Sequence, residues 1–228
     1  RALCILALAD GNTAPMVRKK GLVSSLIQSA AAAPNAGVQE DALRVLASLA
    51  RDTDATAKEA LFRANGLLDL LIRLAGSGGT PAIQELALLT LSNLAHANSH
   101  AKEMFNKPGL VDVLERTVAA GVTATAKKHA LGALANLAVL DTSRCKMLDR
   151  PDLVDLLVRT ATTSHGETPE VKRRALMVLS LLAIESRLID KSPHLFDALM
   201  RLIAAGEESV GVREMGARVL SSACDAEL

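Results

Sequence analysis

The sequence predicts an all-α solenoid, a stack of similar helical units with no single centre. Two observations carry that expectation. A nine-residue pattern, A-L-x-x-L-x-x-L-A, begins at Ala42, Ala87, Ala130 and Ala175, with spacings of 45, 43 and 45 residues. A second apolar segment opens at Leu22, Leu67, Leu110, Leu153 and Leu195, spaced by 45, 43, 43 and 42 residues. A fixed period in this range is the signature of stacked supersecondary units, each unable to bury its apolar face alone. Looser copies of the first pattern open the chain (ALCILALAD, from Ala2) and close it (GARVLSSAC, from Gly216).

Composition agrees with closely packed helices. Half of the 228 residues are hydrophobic, yet there are three Phe and no Trp or Tyr, so Leu, Ala, Val and Ile must build the core. The formal charge is +1, from 26 basic and 25 acidic side chains, which supplies no global field for nucleic acid or anionic lipid. Cys4, Cys145 and Cys224 are odd in number and far apart, which fits neither a disulfide framework nor a zinc site. A reducing compartment, the cytoplasm with the nucleus as a second possibility, is the simplest context. No apolar run is long enough to span a bilayer and no signal peptide is visible. The chain opens at Arg1, inside a repeat and without Met, as expected of a piece of a longer protein.

Each unit begins with a short polar-apolar helix, in TAPMVRKK, ATAKEALFRAN, HAKEMFNK and SRCKMLDR, with IESRLIDKS more divergent. One bulky slot recurs in it as Val17, Phe62, Phe105 and Leu148. The second helix starts at the Leu column, after a breaker; Pro108, Pro151 and Pro193 stand where a missing N–H costs nothing. Ser24, Asp69, Asp112, Asp155 and Asp197 follow in its first turn, favourable against the helix dipole. Gln28, Arg73, Arg116, Arg159 and Arg201 lie four residues further on, so each Asp–Arg pair adds about 0.2–0.5 kcal/mol of helix support. Turn residues then lead into the third, longest helix: Pro34 to Gly37, Gly76 to Pro81, Gly121, Ser164 to Gly166, and Gly206. The apolar stripe of A-L-x-x-L-x-x-L-A is its buried face, with Leu88, Leu91 and Leu94 assigned to the seam between units. No period-two strand pattern occurs. The seams fall near residues 1–10, 11–50, 51–96, 97–139, 140–183 and 184–228, within one domain.

This three-helix grammar resembles the armadillo repeat. The matching pieces are the charged lead-in, helix starts such as GLVDVL at Gly109, and the ALxxLxNLA third helix; they recur across the whole chain. HEAT repeats are near neighbours, but they have two helices per unit. The resemblance implies a right-handed superhelix of about five repeats, with third helices lining a concave groove. It further implies that the groove-facing slots are the third and seventh residues of the nine-residue pattern and the residue one turn earlier. Those slots hold Glu40, Arg44 and Ser48; Glu85, Leu89 and Asn93; Lys128, Gly132 and Asn136; Arg173, Met177 and Leu181; Glu214, Arg218 and Ser222. Import receptors of this fold carry Trp at the third slot and Asn at the seventh, where they clamp an extended basic peptide. Asn93 and Asn136 match the Asn slot, but Leu89 and Gly132 stand where Trp is needed, which argues against that activity. The ladder also changes sign, from Glu40 and Glu85 to Lys127, Lys128, Lys172, Arg173 and Arg174. The Asn pair either bonds the backbone of an extended ligand or satisfies local carbonyls.

Chemistry-bearing residues do not assemble into a catalytic or metal site. His96 and His100 share the i,i+4 spacing of helical metal ligands, but Ala97 to Ser99 falls where the helix ends and no HExxH pattern exists. His129, His165 and His194 are isolated, and Cys145 has no His–acid constellation around it. Gly76 to Gly79 lacks the Lys and the preceding strand of a phosphate loop. The expectation is a monomeric, non-enzymatic interaction scaffold without cofactor or metal. It binds a protein or peptide, neither nucleic acid nor membrane, through Glu40, Arg44, Glu85, Leu89, Asn93, Lys128, Asn136, Arg173, Met177 and Arg218. Two rivals stand beside it. One is a regulatory domain that binds a nucleotide-like metabolite to restrain an attached catalytic module. The other is a structural subunit of a cytoskeletal or ciliary assembly.

Overall fold

The computed structural model describes residues 12–225, apart from 33–34, 52–53, 78, 122, 151, 164–165, 186–187, 189–191 and 206–207. The opening copy from Ala2, with Cys4, lies outside the described residues. So do the turn positions Pro34, Gly78, Pro151, Ser164, His165 and Gly206, and most of the divergent lead-in before Leu195.

Fourteen helices, and no strands, occur among the described residues. The short first helices are α1 (Thr13–Arg18), α4 (Ala55–Phe62), α7 (Asn98–Phe105) and α10 (Asp141–Leu148). The second helices are α2 (Leu22–Ala32), α5 (Leu67–Ser77), α8 (Leu110–Ala120), α11 (Leu153–Thr162) and α13 (Leu195–Ala204). The third helices are α3 (Ala36–Arg51), α6 (Pro81–Ala95), α9 (Ala124–Leu137), α12 (Pro169–Leu182) and α14 (Val210–Asp225). No described helix is long and apolar enough to cross a membrane.

The chain forms two compact units, residues 1–113 and 114–228. In the first, α6 packs along α3, and each lies against its own second helix, α5 and α2. In the second, α12 packs between α9 and α14 and rests on α11. The A-L-x-x-L-x-x-L-A stripe explains this layering. Leu88, Leu91 and Leu94 have no exposed surface, nor have Leu43, Leu46 and Leu49 or Leu176, Leu179 and Leu182. Full burial of each such side chain is worth about 1.5–3 kcal/mol. Ala at the ends of the stripe lets neighbouring helices approach closely. The bulky slot of the first helix is buried at Val17, Phe62 and Leu148, whereas Phe105 is half-buried. Phe196 is half-buried too, so of the three Phe only Phe62 is fully enclosed.

Two backbone devices start the helices. Before the second helix the chain turns through the left-handed region: φ is 82° at Gly21, 77° at Gly66 and 78° at Gly109. The fourth member of that column is Asp152, at φ 66°, where a side chain meets strain that glycine avoids. Before the third helix, threonine recurs as the N-cap. Thr80, Thr123 and Thr168 accept through Oγ1 from the N–H groups of Ile83, Ala126 and Val171, at 3.3, 3.0 and 3.4 Å. Each satisfies one donor that the helix leaves orphaned.

Candidate functional site

The nine-residue pattern sorts itself by exposure. In α6, Ala87, Leu88, Leu91, Leu94 and Ala95 are enclosed, while Leu89 and Asn93 stay half-exposed. In α3 the corresponding pair is Arg44, exposed, and Ser48, half-exposed. In α12 it is Met177 and Leu181, both half-exposed. These residues lie four apart, so they occupy one helix face, opposite the seam. In α9 the pattern breaks. Gly132 is buried with its neighbours, and only Asn136 remains accessible from that pair.

The basic ladder is thinner than the sequence suggests. Lys172 is only 4% exposed, and its ammonium donates to Glu208, in the approach to α14. Lys127 likewise donates to Glu167, in the approach to α12. Both lysines thus tie one repeat to the next and are not offered to a partner, which corrects their place in the cationic cluster. The attraction in each pair offsets part of the cost of taking its charges out of water. The next member of that column, Arg213, has a buried Nε with no hydrogen-bond partner.

Lys128, Arg173 and Arg174 remain. Arg173 donates to Glu170 through Nε and Nη2, at 3.1 and 2.9 Å, and Arg174 donates to the same carboxylate at 3.0 Å. Burial pushes the Glu170 carboxyl up, but the two guanidinium groups outweigh it and hold the group below the ordinary glutamate range. Its charge is therefore present at neutral pH. His129, half-buried beside this cluster, is pushed down to about 4, first by burial and then by the charges of Lys128 and Arg174. The N-terminal ends of α9 and α12 are thus a region of positive potential.

In the first unit the acidic slots are partly used internally. Glu40 accepts from the Thr80 hydroxyl at 2.9 Å, across to the cap of α6. Glu85 is half-exposed, and Arg44 pairs with Asp41 at 3.1 Å. The side-chain amide of Asn93 donates to the Ala47 carbonyl of α3 at 3.1 Å. That donor fastens two third helices together, so of the two roles open to Asn93 the carbonyl-satisfying one is occupied. In the second unit Arg218 and Glu214 are exposed on α14.

Other groups singled out from the sequence are accounted for by packing. His100 is 2% exposed and stacks on Phe62 with ring centroids 4.0 Å apart. Its Nε2 lies 2.6 Å from Glu59 and its Nδ1 3.3 Å from the Leu94 carbonyl. His96, by contrast, is exposed. Among the described residues no group of three potential ligands is placed to hold a metal ion. The Cys145 thiol donates to Glu185 at 3.8 Å, and the same carboxylate accepts from the buried Arg144. The Asp column does more than support its own helices: Asp69 pairs with Lys107 at 2.9 Å and Asp155 accepts from Ser192 at 3.1 Å. A cavity of about 260 Å³ lies on the second-helix side, lined by Glu115, Arg116, Ala119, Asp152, Leu153, Leu156 and Arg159.

The acidic partners Glu167 and Glu208, each in the loop before a third helix, and Glu185, just past the end of α12, carry no signal in the repeat pattern. The threonine caps had a readable signal, Thr-Pro at 80–81 and again at 168–169.

No family model matches the chain, and no curated protein matches it. Solved structures do. The chain is similar to a designed armadillo repeat protein at 18% identity and a TM-score of 0.80, over 98% of this chain and 91% of that one. It is similar to another designed armadillo repeat protein, solved in complex with the peptide (KR)4, at 17% identity and a TM-score of 0.82, over 98% and 90%. Computationally designed armadillo repeat proteins for modular peptide recognition match at 18% identity and a TM-score of 0.81, over 97% and 90%. The fold is all-α and of the armadillo type.

Proposed function

We propose that this armadillo-type chain is a non-enzymatic scaffold that binds a peptide segment along the open faces of its third helices. One observation carries the reading. The third helices α3, α6 and α12 enclose their leucine stripes completely yet keep, on the opposite side, a line of accessible residues four apart, and α9 keeps Lys128 and Asn136 there. Such a line is wasted on packing and suited to reading side chains of a ligand. The solved proteins similar to this chain include one in complex with the peptide (KR)4 and others designed for peptide recognition. The details differ here. Lys128 and Arg173 suit an acidic stretch, and Glu40 and Glu85 suit a basic one.

Selection of linear peptides from a display library on the immobilised chain tests this. Peptides enriched on the wild type are expected to lose binding to Lys128→Glu/Arg173→Glu, whose helicity and melting stay unchanged. Equal retention by the double variant rules out the second unit's third-helix face as the site.

A further inference from the structure

The open faces of α9 and α12 have a polarity that the other third helices lack. Along α9, Lys128 and Asn136 lie on one side of the helix, and Val139 is exposed in the turn just past its C-terminal end. Along α12, Arg173 and Met177 share one side and Ile184 is exposed in the turn just past the helix end, and the two helices pack side by side. The cationic ends are therefore neighbours, and so are the apolar ends. Val139 is 44% exposed and Ile184 is 54% exposed, two of the five large apolar side chains left open among the described residues. At the position of Val139 and Ile184 the earlier repeats carry Arg51, at the end of α3, and His96, just past α6, both exposed and polar. The row through Lys128 and Arg173 ends at Glu214 on α14. The strip is thus confined to two helices: cationic along one margin, apolar along the other.

We infer that this strip takes an extended acidic peptide in which carboxylate and bulky apolar residues alternate. The inference rests on the third-helix face being the binding surface and names the partner that face selects. An extended chain sends successive side chains to opposite sides, at about 3.3 Å per residue. Laid across α9 and α12, whose axes are some 8–10 Å apart, about five or six residues suffice to cover both. Alternate side chains then face the Lys128–Arg173 margin, and those between face Val139 and Ile184. Glu170 neutralises one of the two guanidinium groups it holds, so with Lys128 the margin keeps two positive charges, enough for two carboxylates. A basic peptide meets repulsion here, and an acidic peptide without apolar residues leaves Val139 and Ile184 in water.

The probe is a fluorescein-labelled peptide, Gly-Ser-Asp-Leu-Glu-Leu-Asp-Leu-Gly-Ser, titrated by anisotropy. Its controls are the block isomer Gly-Ser-Asp-Asp-Glu-Leu-Leu-Leu-Gly-Ser and the version with Lys for each acid. The alternating peptide is expected to bind at least about tenfold more tightly than either control. Val139→Ser/Ile184→Ser and Lys128→Glu/Arg173→Glu are each expected to weaken it by about tenfold or more, with unchanged melting because these side chains are exposed or half-exposed. Equal binding of the block isomer overturns the inference. So does indifference to Val139→Ser/Ile184→Ser while Lys128→Glu/Arg173→Glu still abolishes binding, an outcome that leaves the face as the binding site. If the peptide binds and neither pair matters, both readings fall. If it does not bind, yet library-selected peptides still depend on Lys128 and Arg173, only the alternation falls.

Discussion

Replacing Glu208 by Ala tests whether the repeats of the second unit are held together by buried ion pairs. The Lys172 side chain is 5% exposed and that of Glu208 14% exposed, so removing the carboxylate strands an ammonium group in the seam between α12 and α14. Breaking one half of a buried pair costs about 3–5 kcal/mol, and water reaching the partly open Glu208 side places this pair near 3 kcal/mol. Replacing both partners by apolar residues, as Lys172→Met/Glu208→Leu, removes the desolvation cost along with the attraction. The double variant is expected within about 1 kcal/mol of the wild type. Urea unfolding followed by circular dichroism at 222 nm measures all three proteins. A Glu208→Ala variant as stable as the wild type would show that Lys172 reaches water when unpaired. A double variant no better than the single one would show that packing, not charge, sets the cost. Either result refutes the pairing argument.

Four further outcomes follow from the same physics. Leu91→Ala removes a side chain with no exposed surface and is expected to cost roughly 2–5 kcal/mol in the same unfolding experiment. Asp152→Gly relieves a left-handed backbone and is expected to stabilise by up to about 1 kcal/mol, a rise of roughly 2–4 °C in melting temperature. Gly66→Ala imposes the same strain and should lower stability by about 1–2 kcal/mol; no atom lies within 4 Å of an added Cβ, so the loss is purely conformational. His129 titrates near 4 in the folded chain and near 6.5 when unfolded. The unfolded chain therefore binds more protons between those values, and stability rises with pH from about 4 to 6.5. His129→Gln should flatten that rise in melts recorded across the window.

The helices and their seams were legible because burial repeats: Leu88, Leu91 and Leu94 announce themselves by spacing. The residues assigned to the far side came from the armadillo resemblance, and of these Arg44, Leu89 and Met177 are accessible. The charged ladder was harder. Lys127 and Lys128 are adjacent in sequence, and one helical step of about 100° separates a lysine tied into the next repeat from one near the open face. Its acidic partner, Glu167, lies 40 residues away in a loop, where no local pattern marks it. Asn93 illustrates a second limit. The slot was readable, but whether its amide serves a ligand or the Ala47 carbonyl depends on how closely α3 and α6 approach. The exposed Val139 and Ile184 escaped notice because they follow the repeat pattern instead of belonging to it.

Photocross-linking reads directly which helices a bound peptide touches. A library-selected peptide carrying benzophenone at successive positions is irradiated with the wild-type chain, and the adducts are mapped by mass spectrometry. Adducts are expected on the third helices, concentrated at Asn136 and Met177 of α9 and α12. Adducts on the second helices, around the cavity bordered by Arg116 and Arg159, would contradict it.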